Sequence, residues 1–382
     1  NTKALELAGI TTNTLSPSGG EILRDSSGKP TGVLIDNAMD LVTKVIPPYD
    51  DKELMQAIEI ASNHLIGLGI TSVHDAGVSA REHRIYRALA DKKELLVRLY
   101  GMISSTDSEL PTILSEGPVA DENDLYSARS VKVYTDGALG SRGAALLQPY
   151  SDRPDHTGLL LTSKQTLRDI LEDAVLSGFQ VAIHAIGDKG NQLALDEIEW
   201  SYSAVGGKEL RHRVEHAQVV DLEDIPRFKL LNVIPSMQPT HATSDMNMAE
   251  DRIGAERLKG AYAWRTFIDQ GSRLASGSDF PIELANPFYG IHAAVTRQNR
   301  QNLPIKGWIS EQSISITEAI RSFTIDAAWA AHQETTLGSL EVGKWADFII
   351  IDRDIFNEPE ESIWKTEVLQ TWIAGAVVYQ KS

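Results

Sequence analysis

Four side chains that can act on a bound cation lie in or at the ends of apolar runs. They are Lys132 in Val131-Lys132-Val133, His184 after Val181-Ala182-Ile183, His216 closing Arg213-Val214-Glu215-His216, and Asp279 closing Leu274-Ala275-Ser276-Gly277-Ser278-Asp279. Imidazole nitrogen and carboxylate oxygen are ligands for zinc and similar divalent ions. An aspartate beside such an ion can also take a proton from its water. Lysine is normally protonated, with a reference pKa of about 10.4, and cannot ligate a cation in that form. Burial lowers the pKa, and the neutral amine can then add carbon dioxide to give a carbamate whose two oxygens can bridge two cations. Each residue also has a blander alternative. Lys132 can pair with Asp136, the histidines can be hydrogen-bonded structural residues, and Asp279 can cap a helix. The four together favour the cation site.

The elements that must position them alternate. A helical pattern spans Asp51 to about Leu68, and Ile70–His74 is a short β-type run. Helix Arg81–Glu94, strand Leu96–Tyr100 and strand Ser130–Tyr134 follow. Helix Lys164–Ser177 leads to strand Gln180–His184, and helix Asn191–Tyr202 leads to strand Arg211–His216. A short helix starts near Asp221, then come strand Asn232–Met237, a helix from about Ala255 to Gln270, and strand Arg273–Asp279. A last helix, capped by Thr317, runs to about Ala331. Repeated βα units imply a parallel sheet with right-handed crossovers. In a parallel barrel, the carboxyl ends of the strands build the active site. An open doubly wound sheet is the other architecture, but no Gly-x-Gly-x-x-Gly follows the first strand. Seven strands are visible where a (β/α)8 TIM-type barrel needs eight.

On this scheme Val214 and His216 share one strand face by alternation. His212 lies on that face two residues deeper in the barrel, where a structural role is expected. His241, at the end of Gln238-Pro239-Thr240-His241, is either a substrate contact or a loop histidine.

Composition narrows the classes. With 36 basic and 53 acidic side chains the formal charge is −17, which repels a phosphate backbone and excludes nucleic acid as the expected partner. There is no cysteine, hence no thiolate ligand, thiolate nucleophile or disulfide. Any metal must be held by nitrogen and oxygen. No apolar run reaches the roughly 18 residues of a membrane span. The chain opens Asn1-Thr2-Lys3-Ala4-Leu5, without Met or a secretory-type apolar segment. This reads as the middle of a longer gene product, with a processed mature terminus as the alternative. A cytoplasmic location is the expectation.

Residues 1–50 are rich in turn formers and read as loops with short extended pieces. Residues 51–333 form the barrel. In 334–382 the composition turns strongly β-type, with Trp345–Asp352 and two strands joined at Ala374-Gly375. That tail is too few strands for a closed sandwich.

Four segments carry a resemblance. They are Val131-Lys132-Val133-Tyr134-Thr135-Asp136-Gly137-Ala138-Leu139-Gly140-Ser141-Arg142, Ile183-His184-Ala185-Ile186-Gly187-Asp188, His212-Arg213-Val214-Glu215-His216-Ala217-Gln218 and Ser276-Gly277-Ser278-Asp279-Phe280-Pro281. In this order they resemble the amidohydrolase superfamily, within it the amidohydrolase-3 group of YtcJ-like, N-substituted formamide deformylase-like metal-dependent hydrolases. Leu337-Gly338-Ser339-Leu340-Glu341-Val342-Gly343-Lys344-Trp345-Ala346-Asp347 is similar to the family's return into a β-sandwich, so the likeness covers nearly the whole chain.

The resemblance implies a barrel with one or two divalent metals, usually zinc, and residues 1–50 as an insertion or cap over the barrel mouth. It implies that Lys132 is the bridging carboxylated lysine, that His184 and His216 hold the more exposed metal, and that Asp279 holds the buried one. A metal-bound hydroxide would attack an amide-type carbonyl, and Asp279 would pass its proton to the leaving nitrogen. His241 and Asp136 would be substrate contacts. A small-molecule substrate is the expected partner, and a homo-oligomer is compatible with the sequence. The family's His-x-His pair at the end of its first strand occurs nowhere here. His74-Asp75, the nearest candidate, sits on what matches the second strand. A lost N-terminal segment is the expected reason, with a non-catalytic barrel that binds a ligand or partner as the other reading. A third, a phosphate-binding barrel enzyme, lacks a glycine-rich phosphate loop.

Overall fold

The computed structural model describes residues 1–382. An N-terminal antiparallel hairpin pairs β1 (Gly20–Arg24) with β2 (Pro30–Asp36). The central sheet contains β3 (Ser72–Val78), β4 (Arg98–Ser104), β6 (Tyr126–Tyr134), β7 (Gln180–Ala185), β8 (Arg213–His216), β9 (Ile234–Met237) and β10 (Ala275–Ser276). Each of these seven pairs in parallel with the next along the chain. The short β5 (Val119–Ala120) adds to β6 antiparallel. A C-terminal antiparallel sheet has the order β11 (Phe348–Ile351), β12 (Val368–Ile373), β13 (Ala376–Gln380).

The seven expected barrel strands are therefore present, and the sheet does not close: β3 and β10 are its edges. It curls nonetheless. Arg213 on β8 donates across the interior to His74 on β3, and Tyr100 on β4 donates to Gln180 on β7. Outward side chains are apolar because helices cover that face. Val131, Val133, Val181, Ile183 and Val214 are fully buried in one core with Leu167 and Leu171 of helix Lys164–Leu176 and with Leu195 and Ile198 of helix Asp188–Ala204.

Helix starts follow side-chain caps. Asp50 with Glu53, Ser79 with Glu82 and Ser315 with Glu318 form reciprocal capping boxes. The last of these corrects the expectation that Thr317 caps the final helix. That helix is also two pieces, Ile316–Phe323 and Ile325–Ala330, broken at Thr324 (φ −128°, ψ −98°). The helix expected over 255–270 is likewise divided, into Ala249–Leu258 and Trp264–Asp269.

The N-terminal segment sits on the loop that follows β6. Asp36 (φ 49°) places its carboxylate against Gly137 and Gly143, where no side-chain Cβ could fit, and Arg153 pairs with Glu21. The C-terminal sheet packs on helix Asp51–Gly67, where Thr371 donates to the Ile66 carbonyl. It is tied to the barrel by a buried ion pair. Arg98 of β4, 1% exposed, donates to both oxygens of Asp347, with Trp345 beneath the guanidinium.

Candidate metal-type site at the strand ends

Strand register decides which side chains share the barrel interior. Lys132 pairs with Ala182 and Tyr134 with His184. Ala182 pairs with Arg213, His184 with Glu215, and Glu215 with Ser236. Residues at paired positions point to the same side of a sheet. So Lys132, Tyr134, His184, Arg213, Glu215 and Ser236 face inward.

This corrects the alternation expected for β8. Val214 packs outward among the helices, and Arg213 and Glu215 face the interior. His216 still reaches the site because the chain turns there. His216 (φ 79°) and Ala217 (φ 42°) adopt left-handed backbone, which swings the imidazole to an edge-on contact with His184, ring centroids 4.5 Å apart. His212 is structural as expected but lies in the outer layer. Its Nδ1 accepts from Val181 N–H, and its ring stacks on Tyr202 of the covering helix.

The strand ends gather the expected residues. His184 and His216 touch, and His216 stacks on His241 with centroids 5.6 Å apart. His241 Nε2 is 3.7 Å from Asp279 Oδ2. One ligand atom each from His216, His241 and Asp279 lies within 4.8 Å of the others. Asp279 follows a strand of only two residues and itself has φ 57°. It does not cap a helix, a role Asn286 fills for helix Pro287–Thr296. Lys132 is 3% exposed, with Nζ 3.8 Å from the centroid of the Tyr134 ring. Lys132 Nζ, His184 Nε2 and His241 Nε2 are buried and have no hydrogen-bond partner.

Burial sets the protonation states. It holds His184 and His216 well below the ordinary imidazole value, with the neighbouring imidazoles and Lys132 adding to the effect. It lowers His241 to about 4. It brings Lys132 down to about 8 against the opposing pull of Glu215 and Asp279, and lifts Asp279 to about 6 against the pull of Lys132. The imidazoles are thus neutral at pH 7, the form that binds metals.

Asp136 is placed differently from the expectation. It is fully buried, and its two oxygens accept the N–H groups of Ile186, Gly187 and Ala145. A Cβ on Gly190 would come within 2.6 Å of Asp136 Oδ2, so the Gly-rich turn after β7 is shaped around this carboxylate. Asp136 holds the backbone behind His184, 3.8 Å from its Nε2, and offers no surface to a substrate. Nor does it pair with Lys132.

The sequence reading missed two partners. Gln238 Oε1 accepts from His216 Nδ1 at 2.7 Å, and Gln238 Nε2 donates to the Ser236 carbonyl, which fixes the amide's orientation. An amide oxygen can only accept, so His216 carries its proton on Nδ1 and keeps the Nε2 lone pair free. The signal was available in Gln238, three residues before His241. The second is the Arg213–Glu215 pair. Arg213 Nη2 donates to Glu215 and to Ser236, and Ser236 donates to Glu215. Arg213 Nη1 donates to His74 Nδ1, and with burial this keeps His74 neutral, its pKa about 3. His74 Nδ1 is therefore committed and does not stand in for the absent His-x-His pair.

Comparison with known proteins places the chain in a family. A family model described as "Amidohydrolase family" matches residues 1–379. The chain is 32% identical over its whole length to the putative amidohydrolase YtcJ of Bacillus subtilis, covering 72% of it. It is 28% identical to the N-substituted formamide deformylase of Arthrobacter pascens, covering 71%. A crystal structure of an uncharacterized metal-dependent hydrolase from Pyrococcus horikoshii superposes with TM-score 0.76 at 30% identity, over 94% of this chain and 70% of that one. The chain spans 66–72% of the length of the first curated relatives it matches.

Proposed function

The chain belongs to the amidohydrolase family, and from that premise we propose that it is a metal-dependent hydrolase of amide-type C–N bonds, acting on N-acyl or N-formyl amines. The observation that carries this reading is the set of buried nitrogens without partners, Lys132 Nζ, His184 Nε2 and His241 Nε2, beside the ligand-distance group His216, His241 and Asp279. Nitrogen and carboxylate donors of this kind fit zinc or a similar divalent ion. Of the ligand-distance group His216 and Asp279 would hold it, joined by His184, whose ring meets that of His216, and Lys132, once carboxylated, would serve a second. When bound, such an ion lowers the pKa of water and polarises a carbonyl.

The chain's own groups do the rest. Gln238 keeps the His216 Nε2 lone pair directed into the site. Asp279 takes a proton from the attacking water and delivers it to the leaving nitrogen, so amide and water become carboxylate and amine. Its carboxylate oxygens can accept and return that proton. His241 lies beside that carboxylate and contacts the substrate. The substrate class rests on the likeness to the formamide deformylase. No helix is long and apolar enough to cross a membrane.

One observation favours a second reading, a barrel that binds a small ligand without turnover: no His-x-His pair is present and His74 Nδ1 is committed to Arg213. Metal analysis after reconstitution, intact-mass measurement and assays on N-formyl and N-acetyl amines separate the two. The hydrolase reading expects bound metal that His216→Ala and His184→Ala lose, the added mass of one carbon dioxide that Lys132→Met loses, and turnover. Absence of metal, added mass and turnover together would overturn it.

A further inference from the structure

A cavity of about 140 Å³ lies beyond the last two barrel strands. Its lining comes from the segments that carry two members of the strand-end cluster. Thr240 directly precedes His241, Glu283 lies four residues past Asp279, and Ser244 donates to Glu283, joining the two loops. The volume exceeds the space of a single water several-fold and suits the head of a small molecule.

Its chemistry is polar and carries both signs. Of the 11 lining residues only two are hydrophobic. Glu283 and Arg300 both line it, yet neither forms an ion pair with the other or with any other side chain. Arg300 instead rests over the Tyr289 ring, 4.6 Å from its centroid. Two opposite charges on one small cavity that do not neutralise each other suit a ligand that is itself doubly charged.

The floor is built in advance. Gln298 is 6% exposed, and its Nε2 donates to the carbonyls of Pro304 and Ile305. Its Oε1 is left without a partner, as is Thr240 Oγ1. Asn299 Oδ1 accepts the N–H groups of Gln301 and Leu303, which fixes the turn that presents Arg300. Buried acceptors without partners are costly unless something donates to them.

We propose that this cavity takes the zwitterionic head of an α-amino acid whose side chain ends in the scissile amide, Glu283 receiving the ammonium and Arg300 the carboxylate. The substrates are then ω-N-acyl or ω-N-formyl diamino acids. The substrate class rests on the hydrolase reading; the binding of the head group does not.

Calorimetry on the full chain, with no metal added, tests the cavity alone. The probes are L-norvaline, which has both charges, pentanoate, which lacks the ammonium, and butylamine, which lacks the carboxylate. Norvaline should bind at least about tenfold more tightly than either, and Glu283→Gln and Arg300→Gln should each remove about tenfold of that affinity. Equal binding of the three probes, or variants that bind norvaline as the parent does, overturns the proposal; circular dichroism confirms that both variants fold. A kinetic comparison of Nε-formyl-L-lysine with N-formylpentylamine then separates the two readings. Norvaline binding without hydrolysis of either amide defeats the hydrolase and spares the head-group site. Hydrolysis of both amides at equal kcat/KM, without norvaline binding, does the reverse.

Discussion

Arg213, Glu215, Ser236 and His74 in the barrel interior donate and accept among themselves. Lys132 and His184, level with them on the neighbouring strands β6 and β7, and His241, on the helix that follows β9, keep nitrogens with no partner. Both groups are polar and buried from water. The first has cancelled its desolvation internally, which is what a structural layer must do. The second has not, and such groups persist in native proteins where a ligand or reaction uses them. The contrast within one barrel separates scaffold from site without reference to sequence likeness.

The contrast breaks most visibly at Glu215. Glu215→Ala leaves the Arg213 guanidinium buried and unpaired, and should cost roughly 3–5 kcal/mol in urea denaturation. A loss below about 1 kcal/mol would mean the bonded group is not the scaffold. The unpartnered group should respond with the opposite sign. Lys132→Met removes an amine without a partner and should stabilise the metal-free protein by about 1–3 kcal/mol while abolishing bridged metal binding. Destabilisation would show that the amine is already satisfied. Gln238→Leu sharpens the comparison, since it touches the site only through the tautomer of His216. Affinity for zinc should fall about 10–100-fold with little change in stability of the metal-free chain. Equal affinity would remove Gln238 from the site.

The smallest effect concerns pH. His212 is buried neutral, its pKa lowered from 6.5 to about 3. The unfolded chain therefore binds a proton below about pH 6.5 that the native chain refuses, and stability falls as pH drops through that range. Between pH 7.5 and 5.5 this histidine should account for about 1 kcal/mol. His212→Asn, which can keep the acceptor for Val181 N–H, should flatten the slope by that amount. An unchanged slope would place the acid sensitivity elsewhere.

Much of this was legible in the chain. Apolar runs around Lys132 and before His184 and His216 located three strands, because a buried parallel strand is rich in hydrophobic residues on the face its helices cover. The direction of His216 was not legible. Strict alternation put it beside Val214, and only the left-handed backbone at His216 and Ala217 brings it inward. No pattern of residue types announces a positive φ outside glycine. Asp136 was misplaced for a related reason. It looked like a free carboxylate near the site, but backbone N–H groups some 50 residues away consume it. Breaks inside the last helices also escaped notice, since helical periodicity runs on through Thr324 while its backbone does not.

The Arg98–Asp347 contact ties the fate of two sheets together. Asp347 also accepts from the Ala374 N–H at the turn between β12 and β13, so one carboxylate clasps a barrel strand and the C-terminal hairpin at once. Pulling Asp347 away would strand a guanidinium at the foot of the barrel, a penalty of several kcal/mol by the usual measure of buried charges. The C-terminal sheet is therefore held to the barrel where the chain enters it. Its amide protons should exchange with deuterium as slowly as those of β4, and limited proteolysis should cut both regions together or neither.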